Sequence, residues 1–161
     1  MRITQWGEFG VHIAVYLASR SRAGTPTVGA GEIAKVQGIE LQYAQQILLR
    51  LREGGIVTSV RGPHGGYQLA RSEFHISLLD ILRAAEGDTF EIICESRPLS
   101  EDRCAPKVPC GLREIWYGLR EHVNTYLQNH TLAVLLEDSG LIPELVQISG
   151  ARTTKSDSPL R

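Results

Sequence analysis

Side chains able to do chemistry concentrate in a few short stretches. Three cysteines, Cys94, Cys104 and Cys110, fall within 17 residues at a spacing of C-x9-C-x5-C, and the chain has no others. Thiolates bind zinc and iron–sulfur clusters and take part in redox exchange, so three this close suggest a metal or redox centre. An odd count argues against a closed disulfide framework. Far upstream, Glu8 and His12 stand four residues apart. On a helix both project from one side, where a carboxylate oxygen and an imidazole nitrogen could grip one metal ion or simply pair with each other at the surface. Three cysteines with His12 could also make a tetrahedral zinc site, although no paired C-x2-C knuckle is present. A thiol nucleophile built from Cys104 or Cys110 with His122 has nothing to orient it. No glycine-rich phosphate loop or catalytic signature is found either, so an enzyme is not expected.

A second set carries hydrogen-bonding and cationic groups. Gln42, Tyr43, Gln45 and Gln46 precede Arg50 and Arg52, and the run Arg61-Gly62-Pro63-His64-Gly65-Gly66 follows shortly after. Glutamine can pair bidentately with adenine in the DNA major groove. Arg50 and Arg52, further back, would more naturally meet phosphates. Ser59, Arg61 and His64, with backbone N–H groups at Gly65 and Gly66, suit a phosphate or a minor groove. Each group alone also fits an ordinary solvated helix face or a plain hairpin.

The elements that must position these groups follow from periodicity. Trp6, Phe9, Ile13 and Leu17 mark one face of a helix from about Ile3 to Ser19, in which Gly7 and Gly10 allow a neighbour to come close. Arg20 to Thr27 reads as a polar loop, Ala30 to Val36 as a short helix, and Gly38 as a turn. A longer helix fits Glu40 to Glu53, with Leu41, Ala44, Leu48 and Leu51 facing the core and Gln42, Tyr43, Gln45 and Gln46 outward; Gly54-Gly55 ends it. Strands at Ile56–Val60 and Tyr67–Ala70 flank the glycine-rich turn. This order is that of a winged helix-turn-helix, whose second helix enters the major groove. Ser77 and Asp80 can form a capping box for a helix over Ser77–Ala85. Residues 87–109 read as a loop, stiffened by Pro106 and Pro109, before helices at Leu112–Leu127 and Thr131–Asp138. The expected fold is mainly α with a small β-hairpin wing. Residues 1–75 form the winged helix-turn-helix and 76–140 the cysteine loop and dimerisation helices; 141–161 read as a disordered tail.

Composition agrees with a globular chain: 161 residues, 42% hydrophobic, 22% charged. Residues 1–75 hold 8 Lys+Arg against 5 Asp+Glu, and residues 76–161 hold 9 against 13, so a basic first half is joined to an acidic second half. That division suits a polyanion-binding module. The longest aliphatic run, Leu132–Leu136, is far too short to span a bilayer. Val11–Ala18 is preceded by Glu8 and interrupted by His12, unlike a signal-peptide core, so a cytoplasmic chain is expected.

The stretch Gly38-Ile39-Glu40-Leu41-Gln42-Tyr43-Ala44-Gln45-Gln46-Ile47, then Leu51-Arg52, then Ser59-Val60-Arg61-Gly62-Pro63-His64-Gly65-Gly66-Tyr67-Gln68-Leu69-Ala70, resembles the Rrf2 family of bacterial transcription regulators, which includes the iron–sulfur branches IscR, NsrR, RirA and RsrR. Met1-Arg2-Ile3-Thr4 and the three downstream cysteines agree, and the similarity spans roughly residues 1–140. The resemblance implies a homodimer, crossed through the long C-terminal helix, that binds a palindromic promoter site. Gln45 stands where the family commonly has a glutamate, so the family's base preference does not carry over. IscR-type relatives place a histidine ligand three residues after the last cysteine. Arg113 occupies that position here and cannot bind iron, so a fourth ligand must come from elsewhere. NsrR-like relatives have an acidic ligand at the position of Glu8. RsrR-like relatives share the Glu-x-x-x-His pattern and use both residues, with two cysteines of the partner subunit, on a 2Fe–2S cluster. The resemblance therefore implies either Glu8 and His12 with the partner's Cys104 and Cys110 around 2Fe–2S, the preferred scheme, or Cys94, Cys104, Cys110 and Glu8 around 4Fe–4S. Mixed oxygen, nitrogen and thiolate ligation suits a labile sensor of redox state, nitric oxide, or iron and cluster supply. A zinc- or thiol-dependent winged-helix regulator, or an interaction adaptor that does not use DNA, are the alternatives.

Overall fold

In the computed structural model, residues 3–137 are described, apart from 89, 101, 103, 106 and 107, and only the backbone is described at Ile93 and Ser96. Met1-Arg2, Pro106, Asp138 and the tail expected at 141–161 lie outside the described residues. The fold is built around its first helix, α1 (Gln5–Arg22). The Thr4 hydroxyl caps it by accepting from the Trp6 amide, so it starts two residues after Ile3 and runs on past Ser19. Ile13 and Leu17 are buried as the periodicity predicts, but so is every residue from Ile13 to Ala18. The reason is that α1 has neighbours on several sides, including the later helices and the hairpin. A helix wrapped by neighbours has no need of a narrow apolar stripe.

Two glycines that weaken α1 as an isolated helix let it cross α4 (Leu78–Glu86) closely. A Cβ on Gly10 would lie 3.0 Å from that of Ala85, and one on Gly7 2.6 Å from the Glu86 carboxylate. The capping box at α4 forms as expected: the Ser77 amide donates to Asp80 and the Asp80 amide to the Ser77 hydroxyl, both at 3.1 Å.

Helices α2 (Ala30–Gln37) and α3 (Leu41–Glu53) are joined through Gly38, whose left-handed φ of 65° closes α2. The buried residues of α3 are Ala44, Ile47, Leu48 and Leu51. Leu41 departs from expectation: it opens the helix and is 46% exposed, and Ile47 joins the buried stripe. Strands β1 (Val57–Val60) and β2 (Gly66–Leu69) form an antiparallel hairpin in the register Val57↔Leu69 to Val60↔Gly66. Val28 and Tyr67 exchange two backbone hydrogen bonds of 2.9 and 2.8 Å, fastening the hairpin to the segment before α2. Gly66 is required there, since a Cβ would run into the Val28 carbonyl.

The stretch 87–109 is not loop throughout, because a short helix, α5 (Ile93–Ser96), carries Cys94. Its Glu95 pairs with Arg120 of α6 (Gly111–Asn129) at 2.8 Å, and this hydrogen bond holds the Glu95 carboxyl below its usual value. The C-terminal part of α6 packs on α4 through Leu127 and Val123 against Leu79 and Leu82. The return to α7 (Leu132–Glu137) is tied down by backbone bonds Leu78 N to His130 O and Leu132 N to Ile76 O. Among the described residues no helix is long and apolar enough to cross a membrane.

Candidate functional site

The first surface to consider is the outer side of α3. Gln42, Gln45 and Gln46 are exposed there, as the sequence predicts, and Leu49 stands 43% exposed beside them. Glu40, the N-cap residue of α3, makes no side-chain capping bond. Two expected members of this surface, the half-buried Tyr43 and the exposed Arg50, also make contacts within the chain. Tyr43 is half-buried, with its ring edge-on to Trp6 at 4.9 Å and to Phe9 at 5.9 Å. Seven residues on, the Arg50 guanidinium lies over the Trp6 ring at 4.0 Å and donates to the Ala85 carbonyl at 2.9 Å. Tyr43 and Arg50 therefore share the side of α3 that faces α1, which the α-helical period allows but the spacing of α3's own leucines did not reveal.

Beside α3 the wing presents Ser59, Arg61 and His64, all exposed. Gly62 sits at φ 118°, a conformation open to glycine. The Gly65 amide is not turned outward, because it donates to the Gly62 carbonyl at 2.9 Å and closes the turn. A Cβ on Gly65 would meet the Val60 and Gly62 carbonyl oxygens, so the turn is too tight for a side chain. The wing thus carries an exposed cation and an exposed imidazole at a narrow tip.

Glu8 and His12 come together on α1, with Oε1 and Nε2 3.4 Å apart and side chains 64% and 33% exposed. The Phe9 ring lies edge-on to that of His12 at 6.3 Å. The three cysteines form no disulfide with one another and are half-buried. Cys94 and Cys104 line one cavity of about 580 Å³ between the loop and α6, together with Arg113, Glu114 and Tyr117. Cys110 is the N-cap residue of α6. Among the described residues no three His, Cys, Asp or Glu side chains converge within one chain. Arg113, at the position where a histidine ligand would have been useful, binds the loop instead: it donates to the carbonyls of Cys104 at 2.7 Å and Ala105 at 3.2 Å. That anchoring role, and the clasp of Trp6 by α3, were missed in the sequence. Arg113 carried a weak signal, being a cation three residues into a helix that follows the cysteine loop.

The Rrf2 family, described as iron-dependent transcriptional regulators, matches residues 3–138. The HTH-type transcriptional regulator IscR of Escherichia coli is 31% identical over 159 residues, covering 99% of this chain and 91% of that protein. A protein of Neisseria meningitidis serogroup A, named as an HTH-type transcriptional regulator, is 34% identical over 137 residues, 85% of this chain and 88% of its own. Among solved structures, CymR, the global cysteine regulator of B. subtilis, superposes with a TM-score of 0.68 at 27% identity, covering 85% of this chain and 97% of CymR. T. potens IscR gives 0.65 at 29% identity, covering 86% and 88%. The mainly helical fold with its hairpin is thus shared with proteins that regulate transcription rather than catalyse reactions. With the family matching nearly the whole described chain, the protein belongs to the Rrf2 transcription regulators.

Proposed function

We propose that this regulator is a cytoplasmic homodimer that reads a palindromic promoter site and is switched by an iron–sulfur cluster held between its two chains. Gln42, Gln45 and Gln46 would read base edges, and Arg61, with Ser59 and His64, would follow the phosphates or minor groove. The observation that carries the cluster reading is the outward-facing Glu8–His12 pair, 3.4 Å apart, which no third ligand of its own chain approaches among the described residues. Cys104 and Cys110 of a second copy would complete four ligands around a 2Fe–2S cluster. The donor chemistry fits: hard ligands beside thiolates tune a cluster that is readily lost or oxidised, as a sensor requires. Dimerisation rests on α6, whose Ile115 and Leu119 are 60% and 45% exposed in the single chain.

A second reading has its own observation. Cys94 and Cys104 share one cavity, and CymR, a cysteine regulator, has a similar structure. Three thiols with Glu8 around a 4Fe–4S cluster, or thiols acting without a cluster, both use that pair. Protein purified without oxygen separates these readings. Under the first, it is coloured and contains iron, Cys104→Ala and Cys110→Ala variants lose the colour, Glu8→Ala and His12→Ala shift the visible spectrum, and Cys94→Ala matches the wild type. A colourless Cys94→Ala variant beside an unaltered His12→Ala spectrum supports the three-cysteine scheme. Colourless wild-type protein whose affinity for DNA changes on thiol oxidation supports the cluster-free one. DNA reading is tested by the Arg61→Ala, Gln45→Ala double variant, expected to lose operator binding while staying folded, with each glutamine worth about 1–3 kcal/mol at one base position.

A further inference from the structure

Arg50 stands, exposed, on the recognition helix where a cation would ordinarily be assigned to a DNA phosphate, yet its guanidinium is engaged by two partners of its own chain. Its Cζ lies over the Trp6 indole of α1, 4.0 Å from the ring centroid, and its N–H donates to the Ala85 carbonyl of α4 at 2.9 Å. That carbonyl belongs to the last turn of α4, where backbone acceptors lack partners within the helix. One residue further along, Glu86 accepts hydrogen bonds from the Thr4 amide and hydroxyl, so the turn that carries Trp6 is itself pinned to α4. Tyr43 meets the same indole edge-on at 4.9 Å. Trp6 is therefore gripped at two points seven residues apart on α3, while Gln42 and Gln45 lie well round the helix at about 100° per residue.

We infer that Arg50 is a positioning residue: by joining α3 to Trp6 and to the end of α4, it sets the rotation of the recognition helix and hence where the glutamines meet the bases. It does not serve as a phosphate contact. A planar guanidinium is needed because it must stack and donate at once, which an ammonium does less well. This rests on the reading of α3 as the DNA-reading helix.

The test uses full-length dimer, an operator selected by the wild type from a random duplex library, and a mixed-sequence duplex. Arg50→Lys and Arg50→Met should each weaken operator binding roughly tenfold, the loss expected from a stacked, charge-assisted contact. Binding to the mixed duplex, and the slope of log K against log salt, should stay as in the wild type. Trp6→Leu, which changes no charge, should behave alike. The inference is overturned if Arg50→Lys keeps full affinity while Arg50→Met lowers the salt slope by about 0.9 per arginine, the mark of a lost phosphate contact. Full operator affinity in Trp6→Leu would overturn it equally. If the wild type selects no sequence, the DNA-reading proposal fails, and the tether is then judged by fluorescence. The chain has two tryptophans. In a Trp116→Phe background, Arg50→Met must change the Trp6 emission, and an unchanged spectrum rejects the tether.

Discussion

Tyr16 illustrates how burial and one partner fix the behaviour of a single side chain. It is 4% exposed, and its hydroxyl donates to the Glu32 carboxylate at 2.7 Å, joining α1 to α2. Burial first, and the Glu32 bond second, push its pKa up to about 12. The folded chain therefore keeps this proton after an unfolded tyrosine, with its ordinary value of 10.0, has lost it. The stabilisation is fully present below about pH 10 and is lost as pH rises toward about 12. Ultraviolet titration should show a late phenolic transition that Tyr16→Phe removes, with a stability loss of about 0.5–1.5 kcal/mol at neutral pH. A wild-type titration complete near pH 10 would contradict the geometry. The exposure of Gln42, Gln45 and Gln46 was legible at this same scale, because it follows from helical period alone. The contacts of Tyr43 and Arg50 with Trp6 were not, since the aromatic ring they meet stands on a different helix.

At the scale of elements, the crossing of α1 and α4 depends on missing side chains. Gly10 faces Ala85 and Gly7 faces Leu82 and Glu86 at distances no Cβ tolerates without movement. Gly10→Val should destabilise the chain by about 1–3 kcal/mol through overpacking, despite the better helix propensity of valine over glycine. Thermal unfolding measures this, and a variant as stable as the wild type would show that the crossing can relax. The same crossing places Glu8 and His12 on the α1 stretch whose Phe9 and Trp6 touch α3. Element types and order were legible because helix caps and turns are local: Gly38, Ser77–Asp80 and the glycine-rich wing act within a few residues. The short helix α5 was not, being held by the Glu95–Arg120 pair with a helix about 25 residues away.

At the scale of the whole molecule, α6 is the element left uncovered. Leu112, Ile115, Trp116 and Leu119 are 60%, 60%, 40% and 45% exposed, while Val123 and Leu127 further along are packed on α4. A helix bare at one end and covered at the other suits an interface with a second chain. An Ile115→Glu, Leu119→Glu double variant should sediment as a folded monomer where the wild type sediments as a dimer. It should also lose the cluster if ligands come from both chains. A wild-type monomer at micromolar concentration would remove both the dimer and the shared site.

The sequence by itself determined the family and the winged helix-turn-helix order. It also supplied the candidate ligand and base-contact residues. These depend on residue identity, on period and on short-range caps, all of which are written in neighbouring positions. Only the tertiary structure decided what those residues face. It turned Tyr43 and Arg50 toward Trp6, closed the wing on the Gly65 amide, set Cys94 and Cys104 around one cavity, and gave Arg113 to the Cys104 and Ala105 carbonyls. Most of these partners lie on other elements, and the pairings arise when helices with glycine at their crossing points pack closely enough for side chains to meet.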